Sequence, residues 1–218
     1  ALEGKKLEKK ERLGKYIFLK LEKNYWVVFH FGMTGKLEFY QNQEATKYSH
    51  MILSFEDNSY LSFVCRRKLG KIYLAESVEE FINKHDLGKD ALVFTWNDFK
   101  ELLQEKKGGL KATLTDQHSI AGIGNVYSDE ILYQVGIHPK SKAEKLSEKE
   151  KKSLFEKMKK VLDLAIESGG KRSEFPSNYL IRHRKDGADC PNCKGKVKKI
   201  KVSGRSTYFC PSCQKEKT

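Results

Sequence analysis

Four cysteines near the carboxyl terminus constrain the fold of this chain more than any other feature. They form two C-x-x-C pairs, Cys190–Cys193 and Cys210–Cys213, with 16 residues between the pairs. Each pair can present two thiolates from one tight turn, and four thiolates complete a tetrahedral Zn²⁺ site with no position left open. The spacing therefore predicts one structural zinc ion bound by Cys190, Cys193, Cys210 and Cys213, with residues 194–209 forming a β-hairpin that projects from the metal.

Two other uses of these cysteines fit the sequence less well. Disulfides are typical of secreted chains, and no secretory signal precedes the motif. A redox-active C-x-x-C pair needs a thioredoxin-like setting, which neither pair has. The fifth cysteine, Cys65, lies in an apolar run and is predicted to be a small buried side chain rather than a nucleophile.

The charge of the chain predicts a polyanionic partner. Its 42 Lys and Arg residues exceed its 29 Asp and Glu residues, which gives a net charge of +13. Residues 171–218 hold 13 of the basic residues and only 4 acidic ones, a local charge of +9. Such an unbalanced excess is typical of nucleic-acid binding, whereas the balanced stretches 5–11 and 144–152 fit a solvated surface. No run of about 18 apolar residues occurs, so no membrane span is expected.

Apolar periodicity divides the chain into a β-rich part and a helical part. Strand-like runs are predicted at 16–21, 25–31, 36–40, 50–55, 60–65 and 71–75, a spacing typical of a sandwich or barrel. Helices are predicted at 78–85, 96–106, 110–117, 125–135 and 147–168, the last opened by a capping box at Ser147. We therefore expect an α+β chain with a β-sandwich at 1–76, a helical domain at 77–185 and a four-cysteine module at 186–218.

The most specific motif outside the cysteines runs from Asp116 to Pro139. It reads D-Q-x-x-I-A-G-I-G-N-V-Y-x-D-E-I-L and is followed by G-I-H-P. One helix ends there, Gly122 and Gly124 permit a tight turn, and a new helix begins at Asn125, whose free N-terminal N–H groups suit a phosphate. A dinucleotide-binding loop is excluded, because no strand precedes the glycines and no third glycine follows at the required place.

This motif resembles the helix–two-turns–helix of the formamidopyrimidine-DNA glycosylase/endonuclease VIII family. Other segments are similar to that family in the same order: Lys15-Tyr16 and 30–37 to its β-sandwich, 66–70 to its arginine-rich loop, and the cysteine module with Arg205 to its zinc finger. The resemblance implies a partial N-terminal β-sandwich, a helix–two-turns–helix domain and a C-terminal zinc ribbon. It also implies base-excision repair, in which a glycosylase with AP (apurinic or apyrimidinic site) lyase activity removes oxidised or ring-opened bases from DNA.

The resemblance assigns roles to individual positions. Met33, Arg67 and Leu69 match residues that enter the double helix where a damaged nucleotide has been swung out, although family members often carry Phe in place of Leu69. Core packing is the alternative for Met33 and Leu69. Glu130 matches a residue near the base pocket, with pairing inside its own helix as the alternative. Six positions match family residues that bind the phosphates flanking the flipped nucleotide: Lys15, His30, Lys111, Asn125, Tyr127 and Arg205.

Two departures from the family pattern bear on activity. The family begins with Pro-Glu, whose secondary amine attacks the sugar C1′ and forms an iminium, whereas this chain begins Ala1-Leu2-Glu3. The sequence therefore predicts a fragment whose sandwich is incomplete, whose catalytic segment is absent and which is inactive as given, with Lys15 as an assisting residue. The connector at 171–189 is short, which argues against a preference for 8-oxoguanine and leaves ring-opened purines, oxidised pyrimidines and further-oxidised guanine open.

A second interpretation belongs to a different class. The helix–two-turns–helix motif also occurs in proteins that only bind, so the chain could be a non-catalytic, zinc-dependent DNA-binding module. A zinc-ribbon RNA or translation factor would explain the charge but not Met33 or the loop at 66–70. The expected partner is damaged double-stranded DNA and not a membrane, and the expected protein is a monomer in a bacterial or archaeal cytoplasm, associated with the nucleoid through DNA.

Overall fold

The structure, a computed structural model, describes residues 2–22, 25–41 and 46–218. The chain divides into two compact units, Ala1–Asp86 and Leu87–Thr218. The first unit contains β1 (Leu7–Leu13), β2 (Tyr16–Leu21), β3 (Tyr25–His30), β4 (Gly35–Gln41), β5 (Ser49–Ser54), β6 (Ser59–Cys65), β7 (Lys71–Ala75) and α1 (Val78–Lys84). The second contains β8 (Lys89–Asp90), α2 (Trp96–Glu105), α3 (Leu110–Thr115), β9 (Ile120–Ala121), α4 (Asn125–Gln134), α5 (Glu148–Glu167), β10 (Lys198–Val202) and β11 (Arg205–Phe209).

The first unit is the predicted β-sandwich. Its strands form two antiparallel sheets, in the orders β1-β2-β3-β7 and β4-β6-β5. Alternate residues of β2 and β3 point to one face, so Leu19 and Phe29 pack against Phe63 and Cys65 of the other sheet. Cys65 is buried there, as predicted.

The opposite face of β2 carries the aromatic side chains that hold α1. Phe18 is fully buried and meets Phe81 of α1 edge to face, with 5.4 Å between the ring centroids. Ser77 caps this helix by accepting a hydrogen bond from the N–H of Glu80. The structure thus groups α1 with the sandwich, whereas the sequence placed it with the helices; the limits of the three predicted domains remain predictions.

Sequence analysis missed β1. Its residues, LEKKERL, are mostly charged and largely exposed, so they lack the apolar alternation that marks a strand. The strand is held by antiparallel pairing with β2 and by ion pairs such as Lys20 with Glu8. The strand therefore depends on a neighbour and not on its own pattern.

The second unit is built around α4 and α5. Ile131 and Leu132 of α4 and Leu154, Met158 and Val161 of α5 are fully buried in its core. The three residues of α5 recur at helical spacing and so lie on one face of the helix. The predicted capping box is present at Ser147 and Glu150. Among the described residues, no helix has both the length and the apolar character needed to cross a membrane.

The hairpin of the four-cysteine ribbon belongs to the same unit. Strands β10 and β11 pair antiparallel from Lys198–Phe209 to Val202–Arg205, within the predicted stretch. The two residues that join them, Ser203 and Gly204, both have positive φ (46° and 74°), the conformation that matches the twist of a tight hairpin. Arg205 therefore stands directly after the hairpin turn.

Candidate metal centre and nucleic-acid interface

The four predicted metal ligands converge. Their sulfur atoms all lie within 4.8 Å of one another, with Cys190 Sγ 3.6 Å from Cys213 Sγ and Cys193 Sγ 3.6 Å from Cys210 Sγ. Sulfurs bound tetrahedrally to Zn²⁺ at about 2.3 Å would be separated by about 3.8 Å. A disulfide would bring two sulfurs to about 2 Å, so the cysteines are free thiols. The donor set fits one structural zinc ion.

The metal end of the ribbon shares a core with α4. Tyr133, Leu180, Cys190, Val197 and Cys210 form one buried cluster. The hydroxyl of Tyr133 lies 3.1 Å from Cys190 Sγ, within hydrogen-bonding distance of a thiolate. Loss of the metal would therefore open a core that belongs to the helical part as well.

Gln117 shapes the turn before α4. Its amide oxygen accepts the N–H of Gly122 at 3.0 Å, and its Nε2 donates to the carbonyls of Thr115 and Ile123. Gly122 has φ +116°, a region that residues with a Cβ avoid. No side chain caps α4 at Gly124, so its first N–H groups are available to an anion.

The structure brings Asn125 and Arg205 to adjoining positions beside this turn. Asn125 Nδ2 donates to the carbonyl of Ser206 at 2.9 Å, and within the described chain its buried Oδ1 has no partner. Arg205 is exposed, and one guanidinium nitrogen donates to Thr115 Oγ1 at 3.2 Å. A groove of about 430 Å³ opens here, lined among others by Lys106, Thr115, Asp116, His118 and Arg205.

Lys111 occupies a different setting from the one its sequence assignment implies. Its side chain is 1% exposed, and its ammonium group contacts the carboxylate of Asp129 and the hydroxyl of Thr207. Burial lowers the pKa of Lys111 and raises that of Asp129, while their attraction opposes both shifts. In this conformation the ammonium group of Lys111 pairs with Asp129 and Thr207 inside the protein. Its contact with a phosphate remains a prediction.

Sequence analysis did not single out Asp129 or Arg184. Arg184 donates to Asp129 through Nε at 3.0 Å and Nη2 at 2.8 Å. One signal was available, because Asp129 lies four residues after Asn125 and so shares its helix face. Nothing local marked Arg184, which is 55 residues away in sequence.

Glu130 anchors the connector to α4. Its buried carboxylate accepts from Gln134 Nε2 at 2.8 Å and from the N–H groups of Leu180 and Ile181 at 3.2 and 2.6 Å. Burial raises the pKa of Glu130 to about 6, against the opposing effect of these hydrogen bonds. Pairing inside its own helix is therefore present, and the base-pocket role remains a prediction. The same holds for the phosphate role of Tyr127, a partly buried residue whose ring stacks near Phe175.

In the first unit, Met33, Arg67 and Leu69 lie on two adjoining loops. Met33 is 70% exposed and Leu69 48%, so neither is core packing. The N–H of Arg67 donates to Thr34 Oγ1 at 3.2 Å and joins the loops. A Cβ at Gly32, which has φ +60°, would lie 2.5 Å from the carbonyl oxygen of Leu69. This close approach requires glycine and holds the backbone just before Met33 against the backbone of Leu69.

Lys15 and His30 lie at the same end of the strands as these loops. His30 pairs across the sheet with Tyr16 on one side and Lys71 on the other, and its Nδ1 accepts from the N–H of Gly32 at 3.3 Å. Burial, then the charges of Lys15 and Lys71, lowers the pKa of His30. Lys71, which sequence analysis did not single out, adds a cation here. The phosphate contacts of Lys15 and His30 remain predictions.

Comparison with known proteins places three family models along the chain. The formamidopyrimidine-DNA glycosylase N-terminal domain matches residues 1–72, and the formamidopyrimidine-DNA glycosylase H2TH (helix–two-turns–helix) domain matches residues 87–177. A zinc finger found in FPG and IleRS matches residues 189–215. The match from residue 1 gives no support to the prediction that the N-terminal sandwich is incomplete and its catalytic segment absent.

Individual relatives agree with these models. Formamidopyrimidine-DNA glycosylase of Protochlamydia amoebophila is 33% identical over 232 residues, which cover 99% of this chain and 83% of the relative. The enzyme of the same name from Listeria innocua is 34% identical, with 98% and 84% covered. The structure of Lactococcus lactis Fpg with abasic-site DNA superposes with a TM-score of 0.85 at 29% identity, covering 98% of this chain and 83% of that one.

Proposed function

This chain belongs to the formamidopyrimidine-DNA glycosylase family, and we propose that it is a base-excision repair enzyme that removes oxidised or ring-opened bases from double-stranded DNA and cleaves the resulting abasic strand as an AP lyase. Structures of the Lactococcus lactis relative hold DNA that contains FAPY-dG or an abasic site. The observation that most supports the proposal is the pairing of Asn125 with the zinc hairpin, which puts an amide and the exposed Arg205 beside the open end of α4.

We assign phosphate binding to this part of the second unit. A duplex presents one negative charge per phosphate, and guanidinium and amide groups bind phosphate oxygens well. Arg205 and Asn125 supply those groups, and Lys106, which pairs with Asp116 at 3.0 Å, is the second cation in the lining of the groove. Contacts to phosphate carry no base preference, so they hold the DNA in register for whichever lesion is present.

Met33, Leu69 and Arg67 are assigned to the space left by the extruded nucleotide. An enzyme that reacts at a base or its C1′ has to take the nucleotide out of the stack, at a cost of a few kcal/mol for unstacking. Exposed apolar side chains that fill the gap offset part of that cost. Met33 and Leu69 are among the most exposed large apolar residues of the described chain, and they stand on loops that one hydrogen bond joins.

The lyase step requires an amine that attacks C1′. The base departs with the electron pair of its bond to C1′ and takes up a proton. The C1′–O4′ bond then breaks, O4′ keeps that electron pair and is protonated, and the nitrogen lone pair forms the iminium. The iminium permits loss of a C2′ proton and elimination of the 3′ phosphate. Lys15 is proposed to assist this chemistry and Glu130 to support the base pocket. The short connector leads us to expect faster release of formamidopyrimidines than of 8-oxoguanine.

Borohydride trapping tests the activity. Reduction of the iminium links enzyme to DNA covalently, so the protein should form an adduct with duplexes that carry a formamidopyrimidine or an AP site, and none with undamaged duplex. The 218-residue chain and the product of its whole reading frame are assayed side by side, which also tests the predicted inactivity of the chain as given. Tight binding to abasic DNA without any adduct from either protein would favour the non-catalytic DNA-binding module.

A further inference from the structure

Asp129 is the most heavily bonded side chain in the buried part of the second unit. It is fully buried in α4, and its Oδ1 accepts from Lys111 Nζ. Its Oδ2 accepts from two nitrogens of Arg184, at 3.0 and 2.8 Å, and from the N–H of Tyr208 at 3.1 Å. The four hydrogen bonds come from three separate segments: α3, the connector and β11.

The strand β11 is attached to the helical segments at four consecutive residues. Arg205 donates to Thr115, the carbonyl of Ser206 accepts from Asn125, Thr207 accepts from Lys111 and Tyr208 donates to Asp129. Asp129 takes part directly in the last contact, and it holds Lys111 for the third. It stands one helical turn after Asn125, on the same face of α4.

The charges of this cluster do not balance. Lys111 and Arg184 bring two positive charges to the single negative charge of Asp129, all three side chains being at most 10% exposed. Arg205 adds a further cation at the surface of the same strand. The carboxylate of Asp129 therefore does more than neutralise one cation, because it binds Lys111, Arg184 and the backbone of β11 at the same time.

We propose that Asp129 is a positioning residue for phosphate binding: by holding β11 against α3 and α4, it makes the side chains of Asn125 and Arg205 face one DNA phosphate. The inference rests on the proposed function only in taking DNA as the ligand. Asp129 touches no substrate and acts through Arg205 and Asn125.

Whether Asp129→Asn strengthens or weakens DNA binding distinguishes a positioning role of Asp129 from a general effect of its negative charge. Asp129→Asn removes a negative charge, which by long-range attraction alone would strengthen binding to a polyanion. If Asp129 positions Arg205, the variant instead binds a duplex with an abasic-site analogue about tenfold more weakly, the scale of one lost charge-assisted hydrogen bond. Asp163→Asn, an exposed change of the same charge on α5, is the matched control and should leave affinity within about twofold.

A double-mutant cycle with Arg205→Ala tests whether Asp129→Asn weakens DNA binding through Arg205. Anisotropy titrations over a salt series should show that either single variant lowers the salt slope by about one, and that the double variant loses little beyond Arg205→Ala alone. Zinc content and the thermal midpoint are measured for every variant. Wild-type affinity and salt slope in a folded, zinc-bound Asp129→Asn protein, or strictly additive losses, would overturn the proposal.

A second variant decides the matter if Asp129→Asn does not fold. Thr207→Val removes the contact between Lys111 and β11 but leaves the carboxylate paired with Arg184. Its loss of affinity should again be non-additive with Arg205→Ala, and additivity would refute positioning. Binding results are independent of catalysis, so a failure of borohydride trapping with this coupling intact would overturn the proposed function and leave the role of Asp129 standing.

Discussion

The two units hold their candidate DNA-contacting residues in opposite ways. In the first, Met33 and Leu69 lie on loops beside a core of apolar and aromatic side chains, and their own side chains are exposed to solvent. In the second, Asn125 and the strand of Arg205 are tied down by buried hydrogen bonds and a four-cysteine site. A residue that fills a gap of variable shape benefits from an unattached side chain, whereas one that binds a phosphate of fixed geometry benefits from a rigid support.

Zinc removal should disrupt the second unit more than any of the substitutions below. Chelation removes the metal from Cys190, Cys193, Cys210 and Cys213, and because their cluster includes Tyr133 of α4, the ribbon should unfold and DNA retention should be lost. The first unit contains Trp26 and the second Trp96, so single-tryptophan variants report each unit separately. We expect the Trp26 signal to stay native, and retention of DNA after complete zinc removal would contradict this account of the ribbon.

Phe29→Ala and Met33→Ala separate stability from function within the first unit. Phe29 is fully buried and packs on Phe63 at 5.6 Å, so its truncation should lower the free energy of unfolding by about 3–5 kcal/mol. Met33→Ala should change it by less than about 0.5 kcal/mol while slowing base release. Urea unfolding followed at Trp26, with a base-release assay, measures both. A stability loss at Met33 comparable to that at Phe29 would mean that its side chain is part of the core.

Glu130 should make the stability of the second unit depend on pH. Its pKa of about 6 lies above the ordinary 4.5, so the folded state holds the proton more tightly. This contribution is complete below pH 4.5 and is lost as pH rises through 6, a change of about 2 kcal/mol. The free energy of unfolding of wild type relative to Glu130→Gln, followed at Trp96, should therefore fall between pH 4.5 and 7. A difference that stays constant with pH would show that the pKa of Glu130 is the same in the folded and unfolded states.

Arg205→Ala should have the smallest of these effects and the most specific. Loss of one phosphate contact should weaken duplex binding about tenfold and reduce the salt slope by about one, without changing which lesion is preferred. Lys160→Ala, an exposed change of the same charge on α5, serves as control. A variant that keeps its affinity and salt slope would remove Arg205 from the phosphate-binding surface.

Local patterns in the sequence predicted most elements and the metal ligands. Apolar alternation located β2 to β7, helical periodicity and a capping box located α5, and cysteine spacing located the zinc site. Alternation failed at β1, whose charged residues such as Lys9 and Glu11 form a strand only by pairing with β2. The resemblance named Asn125 and Arg205, but no local signal could reveal that β11 lies on α4.

The polar contacts of the second unit were beyond sequence reasoning for a physical reason. Lys111 and Thr207 are 96 residues apart, and Asp129 and Arg184 are 55 apart. Periodicity records which side of a helix a residue faces, and it carries no information on which distant segment packs there. The resemblance assigned Lys111 to a phosphate, and no local pattern indicated that its ammonium group is buried beside Asp129.

The four thiolates of the ribbon are unequally protected. Cys190 and Cys210 are buried, Cys190 with the hydroxyl of Tyr133 against its sulfur, whereas Cys193 and Cys213 are partly exposed. Sulfur oxidation follows accessibility, so peroxide in the surrounding water meets Cys193 and Cys213 first. Oxidation would therefore begin at the outer side of the ribbon, while Cys190 and Cys210 stay packed in the buried cluster that includes Tyr133 of α4.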